Sequence, residues 1–243
     1  MSLLNIIQKH LSANKPPLCT AVIAAAGISA RCEGEDKLFY DLCGKPVLAH
    51  SLIAFNKCKL INEIIIVAHE DKLEEIGELC LAHKIKKVTL IIKGGDTRLK
   101  SVIGGVYAAT KKATHIAIHD GARPCISVDI IEKTINEAVR CSAAAPAIPI
   151  TSTVKKVDSD GVIESTVDRG GLYEIQTPQI FRAPLIKAGL TKAQKESIDI
   201  TDDCMAVEKI GFPVRIVEGS RKNIKITQPD DLKLAEAFMK KES

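Results

Sequence analysis

Apolar runs alternate with helix-period segments along most of this chain. Continuous apolar runs predict buried strands at 21–23, 63–68, 88–92, 115–119 and 145–150. Apolar residues that recur every three or four positions predict helices at 47–55, 73–80, 101–110 and 130–139. This alternation indicates an α/β fold with a mostly parallel, twisted sheet that is covered by helices on both faces.

The alternation stops in the segment 151–176. Short alternating pieces flank Asp160-Gly161 there, and Asp-Gly between alternating segments is a hairpin signal. Because an isolated hairpin is marginal in water, we interpret this segment as a protruding β-arm that makes a dimer contact. The remaining predicted elements are helices at 183–192, 202–210 and 230–240 and strands at 214–217 and 223–226.

The chain of 243 residues fits one large domain with an appendage. Leu3, Leu4, Ile7 and Leu11 lie on one helical face, and a Pro-Pro pair ends that run. We therefore expect a helical extension at 1–17 and a single domain at 18–243.

Composition excludes several classes of function. Aromatic residues make up 3% and tryptophan is absent, which disfavours stacking platforms for nucleic acid. The net charge of +4 is too mild to indicate a nucleic-acid or membrane-surface partner. No apolar run reaches the roughly 18 residues of a spanning helix, so we expect neither a nucleic-acid nor a membrane partner.

The eight cysteines are scattered and do not form a zinc-binding pattern. They lie largely within apolar runs, and no secretory leader precedes them. We interpret them as reduced packing residues, which predicts a cytoplasmic protein.

Four polar clusters follow predicted strands, at the edge where open α/β sheets bind ligands. They are 27–37, 94–98 with Ser101, 119–124 and 223–227. The small residues Ala24–Gly27 let a ligand approach the backbone, and the cations Arg31 and Lys37 suit phosphate oxygens. This favours a nucleotide site, although neither the Walker loop nor the dinucleotide fingerprint is present.

Each cluster also has a purely structural explanation. Asp120-Gly121 is a common turn pair, Thr227 with Asp230 fits a capping box, and a histidine such as His119 at a strand end usually hydrogen bonds within the core. The chemical interpretation is more specific. A lone carboxylate, Asp120, among phosphates suits Mg²⁺, and no side-chain nucleophile with its own base is found. That combination indicates a transfer in which a substrate brings the nucleophile.

The motifs AAAGISAR, GGDTRLKSV, HDGARP, STVK, TVDRGGLYEIQTPQIF, ITDD and EGSRKNIKITQPDDL occur in this order. From about Thr20 to Leu234 the chain resembles the 2-C-methyl-D-erythritol 4-phosphate cytidylyltransferase family of the non-mevalonate isoprenoid pathway. The resemblance implies a Rossmann-like nucleotidyltransferase fold whose β-arm clasps a second subunit. It also implies a Mg²⁺-dependent reaction between CTP and a small polyol phosphate, 2-C-methyl-D-erythritol 4-phosphate, with release of pyrophosphate.

The resemblance also implies residue roles. Arg31 and Lys37 would stabilise the transition state. Asp120 would handle the metal and the substrate, and Arg123 would help to hold the site. The nucleotide would be bound by Ala25, Ala26, Gly27, Gly95, Asp96 and Ser101. The partner subunit's arm would contribute Thr153 and Arg169 to the acceptor site of Lys225, and we assign Arg169 and Lys225 catalytic roles as well.

The chain departs from the family pattern at Ser29, Asp36 and Ser152. A related enzyme family, ribitol-5-phosphate cytidylyltransferase, shares the fold and is the main alternative. A non-catalytic nucleotide-binding member of the same family is the other. Ala25–Gly27 and the HDGARP motif favour the methylerythritol phosphate enzyme, and the acceptor pocket decides between the two acceptors.

Overall fold

The computed structural model describes residues 17–27 and 36–240. The predicted N-terminal helix, Ser29 and Arg31 lie outside the described residues, so their placement stays a prediction. The strands are β1 (Cys19–Ala25), β2 (Asp41–Leu42), β3 (Lys45–Pro46), β4 (Ile61–Ala68), β5 (Val88–Lys93), β6 (His115–Asp120), β7 (Ala143–Pro149), β8 (Val154–Val157), β9 (Ile163–Val167), β10 (Tyr173–Ile175), β11 (Gln179–Arg182) and β12 (Arg215–Glu218). The helices are α1 (Val47–Lys57), α2 (Leu73–Ala82), α3 (Arg98–Ala108), α4 (Val128–Cys141), α5 (Ala183–Lys195), α6 (Asp203–Glu208) and α7 (Pro229–Lys240).

The central sheet confirms the predicted α/β architecture. Its strand order is β10-β7-β11-β6-β1-β4-β5, with β12 also paired to β7. β1 pairs in parallel with β4 on one side and with β6 on the other. The connections therefore change direction at β1, and such a switch point opens a crevice at the carboxyl ends of the strands.

Helices cover both faces of the sheet, as predicted. On one face α1, α2 and α4 bury residues such as Leu52, Ile76 and Ile131. On the other face α3, α5 and α6 bury Val106, Leu190 and related residues. The alternation of side chains along β1 feeds both cores, which explains why this strand is apolar throughout.

Helix α3 lies unusually close to the sheet. A Cβ atom added at Gly105 would stand 2.4 Å from Cγ1 of Val22 and 2.8 Å from Cγ2 of Val67. Only a glycine allows α3 to approach the sheet this closely. The close approach sets the distance between the sheet and the start of α3, beside the ends of β1 and β5. Thr97 caps this helix by accepting the N–H of Lys100 at 3.2 Å, so α3 begins three residues before the predicted start at Ser101.

The predicted hairpin is confirmed. Strands β8 and β9 form a separate two-stranded antiparallel sheet. Asp158 shapes its turn because Oδ1 accepts the N–H groups of Asp160 and Val162 at 3.0 and 2.9 Å. Val157, Val162 and Ile163 are all more than half exposed on this arm.

The strand predicted at 223–226 is wrong. The segment forms turns, in which Asn223 N–H is donated to Ser220 O, and one bond from Ile226 N–H to Ala122 O ties it to the 120–124 loop. The sequence prediction also omitted β2, β3, β10 and β11. Of these, β11 is antiparallel and lies between β6 and β7. No helix in the described part of the chain is both long and apolar enough to cross a membrane.

Candidate functional site

A cavity of about 450 Å³ lies in the crevice at the carboxyl ends of β1, β4, β5 and β6. It brings together nine of the residues that the sequence predicted for the site. They are Ala25, Ala26, Gly27, Lys37, Gly95, Asp96, Ser101, Asp120 and Lys225. His69, Thr97 and Arg98 also line the cavity and were not among the predicted site residues.

The loops after β1 and β5 touch each other on one side of this cavity. A Cβ atom at Gly94 would stand 2.5 Å from Cβ of Ala26 and 2.8 Å from Oγ of Ser101. The Ser101 hydroxyl accepts Gly95 N–H at 3.0 Å and donates to Gly95 O at 3.3 Å. The small residues Ala25, Ala26, Gly27 and Gly95 line this side of the cavity, which we call the slot. Residues this small let a flat group such as a base approach the backbone closely.

Asp120 lies at the end of β6 with two cations around it. Both Arg123 Nε, at 3.3 Å, and Lys225 Nζ, at 3.1 Å, contact Oδ2 of Asp120. The side chains of Asp120 and Arg123 are nearly buried, whereas Lys225 is 41% exposed and lines the cavity. Arg123 is therefore placed behind the carboxylate, and Lys225 is placed where a substrate can reach it.

The pKa of Asp120 reflects this cluster. Burial alone would raise the pKa, but Lys225 and then Arg123 oppose that effect and lower it to about 2. Asp120 is consequently a carboxylate at neutral pH. Its charge holds the Lys225 ammonium group at the edge of the cavity.

A buried polar network that the sequence analysis missed holds this cluster. Thr177 Oγ1 accepts Asp120 N–H at 3.1 Å and contacts Nδ1 of His119 at 2.9 Å. Asn223 Nδ2 donates to Thr177 O at 2.9 Å, and Asn223 O accepts from Arg123 at 2.8 Å. The QTPQ and SRKN segments of the sequence are thus the supports of the Asp120 cluster.

His119 belongs to this support rather than to the cavity, as the structural explanation expected. Burial lowers its pKa to about 3, so the imidazole is neutral. The Thr227 cap is also present, but its carboxylate is that of Asp231 rather than Asp230. Oδ2 of Asp231 accepts the Thr227 N–H at 2.7 Å and the Gln228 N–H at 2.8 Å.

The cavity's other predicted cation, Lys37, lies within a turn that Asp36 begins. Oδ1 of Asp36 accepts Leu38 N–H at 3.1 Å, and its carbonyl accepts Phe39 N–H at 2.9 Å. The aspartate at this departure from the family pattern thus shapes a turn. Burial would raise the pKa of Asp231, but the hydrogen bonds from Thr227 and Gln228, with a smaller contribution from the charge of Lys37, lower it.

The arm residues lie apart from this cavity. Thr153 and Arg169 are exposed and are not part of its lining. Arg169 donates to Thr151 O at the base of its own arm, and Arg221 donates to Thr151 Oγ1 at 3.1 Å. Within one chain, the structure therefore does not bring the two predicted arm residues to the site.

Asp120 can bind Mg²⁺ as one ligand of a site whose other ligands come mainly from the substrate. Both of its ion pairs use Oδ2, and Mg²⁺ is usually bound by one or two carboxylates together with substrate phosphates. Within residues 17–27 and 36–240, no three His, Cys, Asp or Glu side chains are grouped to hold a metal ion. Among the described residues that line the cavity, Asp96 and Asp120 carry the carboxylates, so a bound triphosphate would have to supply most other oxygens of a Mg²⁺ site.

These features define a class of protein. A parallel sheet with a switch-point crevice, a slot for a base and cations around one carboxylate is typical of an α/β nucleotide-binding fold of the nucleotidyltransferase type. The family model described as 2-C-methyl-D-erythritol 4-phosphate cytidylyltransferase matches residues 19–241. The chain therefore belongs to this family.

Similar proteins agree with that assignment. The chain is 42% identical over 221 residues to 2-C-methyl-D-erythritol 4-phosphate cytidylyltransferase of Dehalococcoides mccartyi, covering 91% of this chain and 96% of that protein. It is 42% identical over 224 residues to the Caldanaerobacter subterraneus enzyme of the same name, covering 91% and 99%. The crystal structure of 4-diphosphocytidyl-2C-methyl-D-erythritol synthase from Anaerococcus prevotii matches with a TM-score of 0.82 and 30% identity, covering 93% and 97%.

Proposed function

We propose that this chain is a 2-C-methyl-D-erythritol 4-phosphate cytidylyltransferase of the non-mevalonate isoprenoid pathway. It transfers the cytidylyl group of CTP to 2-C-methyl-D-erythritol 4-phosphate and releases pyrophosphate, which forms 4-diphosphocytidyl-2-C-methyl-D-erythritol. The observation that carries this proposal is the pairing of Lys225 with Asp120 at 3.1 Å in the cavity that contains the slot. Family membership supports the same reaction.

The reaction needs charge more than acid–base chemistry. A phosphate monoester has a second pKa of about 6, so the acceptor is largely a dianion at neutral pH and needs no general base. Its oxygen bonds to the α-phosphorus of CTP while the bond from that phosphorus to the β-phosphate oxygen breaks, and pyrophosphate carries away the electron pair. The difficulty is to bring two anions together, and a well-placed donor in such a site supplies roughly 2.7–4 kcal/mol.

Each predicted residue then has a proposed role. Lys37 and Arg31 stabilise the charge that develops on the triphosphate. Lys225 leaves Asp120 partly to bind the acceptor phosphate, while Arg123 keeps the carboxylate in place from behind. The nucleotide contacts Ala25, Ala26, Gly27, Gly95, Asp96 and Ser101. Mg²⁺, when bound by Asp120 and the triphosphate, would neutralise phosphate charge and align the reacting groups.

We also infer a homodimer in which the arm of one subunit completes the site of the other. Thr153 and Arg169 lie outside the cavity of their own chain, and the arm exposes apolar side chains that a partner would cover. To test this, the Lys37→Ala and Arg169→Ala variants, each inactive alone, are mixed and allowed to exchange subunits. We expect partial activity in hybrid dimers, and none despite verified hybrids would argue against completion in trans. The cytoplasmic location remains a prediction from the sequence.

The deciding experiment measures pyrophosphate release from CTP and Mg²⁺ with two acceptors in parallel. We expect release with 2-C-methyl-D-erythritol 4-phosphate and not with ribitol 5-phosphate. Lys225→Met should abolish release, whereas the matched control Lys233→Met, at an exposed pair on α7, should not change it. Release with ribitol 5-phosphate alone would overturn the acceptor, and no release from folded protein that binds CTP would favour a non-catalytic role.

A further inference from the structure

An ion pair beside the nucleotide slot has no role in the reaction as described so far. Arg98, the first residue of α3, donates from Nη1 to Oδ1 of Asp203 at 3.1 Å and from Nη2 to Oδ2 at 2.7 Å. The Asp203 side chain is fully buried, and the Arg98 side chain is 34% exposed and lines the cavity. Two-point contacts of this kind fix the orientation of a guanidinium as well as its position.

Asp203 is itself held in place by the sheet. Oε1 of Gln179 accepts the N–H groups of Asp203 and Cys204, both at 2.9 Å. Gln179 begins β11 and lies opposite Ile118 of β6, two residues before Asp120. The residue whose carboxylate receives Arg98 is therefore anchored to the central sheet through Gln179.

On its other side, Arg98 is joined to the nucleotide slot through one turn of helix. Thr97 caps this turn, and Ser101 lies in it with its hydroxyl bonded twice to Gly95. Gly94 in turn packs against Ala26, and Gly95 packs against Lys100 of the same helical turn. A displacement of the start of α3 would therefore move the hydroxyl and the backbone that form the slot.

We propose that Arg98 is a positioning residue for the nucleotide, and that its two-point pair with Asp203 holds the first turn of α3 where Ser101 and Gly95 can receive the base. The inference rests on the proposed function for the identity of the nucleotide. It assigns a purpose to two segments of this chain, TRLKS and ITDD, which are far apart in sequence and are joined by this ion pair.

Charge alone does not explain the pair. Burial would lower the pKa of Arg98, but Asp203 and then Asp120 raise it above its ordinary value, so the guanidinium stays charged. A lysine at this position would keep the charge and lose the two-point geometry. Arg98→Lys therefore separates a positioning role from a general need for positive charge in the cavity.

The test measures equilibrium binding of CTP without acceptor, and then the KM of each substrate. Arg98→Lys and Asp203→Asn should each weaken CTP binding at least about tenfold, while the acceptor KM changes by less than about twofold. Because both substitutions disrupt the same contact, the double variant should bind CTP as tightly as Arg98→Lys alone. Independent substitutions would instead multiply their effects on CTP binding. Arg140→Lys, at an exposed arginine pair on α4, is the matched control and should not change CTP binding.

Several results would overturn the inference. If Arg98→Lys weakens binding but Asp203→Asn does not, Arg98 contacts the nucleotide directly instead of positioning Ser101. If the CTP and acceptor constants rise equally, the pair has only a structural role. Should either variant fail to fold, Asp203→Glu keeps the charge and shifts it by one methylene, and normal CTP binding in it would contradict the proposal. Wild-type protein that binds CTP without turnover would defeat the proposed function and leave this inference standing.

Discussion

Gly104 and Gly105 are neighbours in α3 that face different surroundings. An added Cβ at Gly104 would meet only Cδ1 of Ile92, at 3.8 Å, which is an ordinary contact distance. An added Cβ at Gly105 would stand 2.4 Å from Val22 and 2.8 Å from Val67, inside the core. Neither glycine has a positive φ, so alanine introduces no backbone strain at either position and the two substitutions differ mainly in packing.

The expected magnitudes follow from two opposing effects. Alanine in a helix interior is favoured over glycine by roughly 0.5–1 kcal/mol. Overpacking of a core typically costs about 1–3 kcal/mol. We therefore expect Gly104→Ala to raise the free energy of unfolding by roughly 0.5–1 kcal/mol and Gly105→Ala to lower it by up to about 2 kcal/mol.

Urea unfolding and thermal unfolding measure this difference. For a domain of this size, 1 kcal/mol changes Tm by about 2–4 °C, so the two variants should lie several degrees apart on opposite sides of the wild type. Gly105→Ala should also weaken CTP binding, because the new methyl group would meet Val22 and Val67 and push α3 away from the sheet. Arg98 and Ser101 would move with this helix. Gly104→Ala should bind CTP normally and is the matched control.

Two results would refute this reasoning. If Gly105→Ala is as stable as Gly104→Ala, α3 can relax without loss and its close approach to the sheet is not a constraint. If Gly105→Ala is less stable but binds CTP normally, the distance between α3 and the sheet matters for packing and not for the nucleotide slot.

Three further predictions concern the Asp120 cluster and the thiols. Because the folded-state pKa of Asp120 is lowered to about 2, its negative charge stabilises the fold above pH about 4, and this stabilisation is lost as the pH falls towards 2. Lys225→Met should therefore move the midpoint of acid unfolding, followed by circular dichroism, to higher pH. An unchanged midpoint would contradict this prediction. Arg123→Met leaves a buried carboxylate poorly paired and should lower the free energy of urea unfolding by about 3 kcal/mol, whereas a loss below about 1 kcal/mol would show that Lys225 alone suffices. A thiol reagent at pH 8 should label exposed Cys43 well before Cys80, whose pKa burial raises to about 11, and equal labelling by mass spectrometry would be evidence against that burial.

The elements that were predicted correctly are those whose pattern is local. The apolar runs that became β1, β4 and β6 are largely buried on both faces, so they are continuous in the sequence as well as in the fold. The run that became β5 was also predicted correctly, although this strand ends the sheet and is only partly buried. β11 was omitted because Gln179–Arg182 is short and carries polar ends, and its place between β6 and β7 depends on pairing across the sheet. The segment 223–226 has a strand-like alternation, but its backbone bonds to the 120–124 loop and to its own turns instead of a neighbouring strand. Both errors arose because strand formation depends on the available pairing partners as well as on the β-propensity of the segment itself.

The candidate site shows the same division between local and non-local information. Residues that follow parallel strands could be grouped from the sequence, because the carboxyl ends of such strands meet at one edge, and Ala25, Gly95 and Asp120 do line one cavity. Arg98 and Asp203 are separated by 105 residues, and nothing in either segment alone indicates that they form a pair. A signal did exist, since an arginine at a helix start and the acidic pair Asp202-Asp203 at the start of a predicted helix each require a partner once buried. The sequence could predict that such charges form ion pairs, but only the fold determines which residues are the partners. The residues that position the site are therefore harder to predict than those that line it.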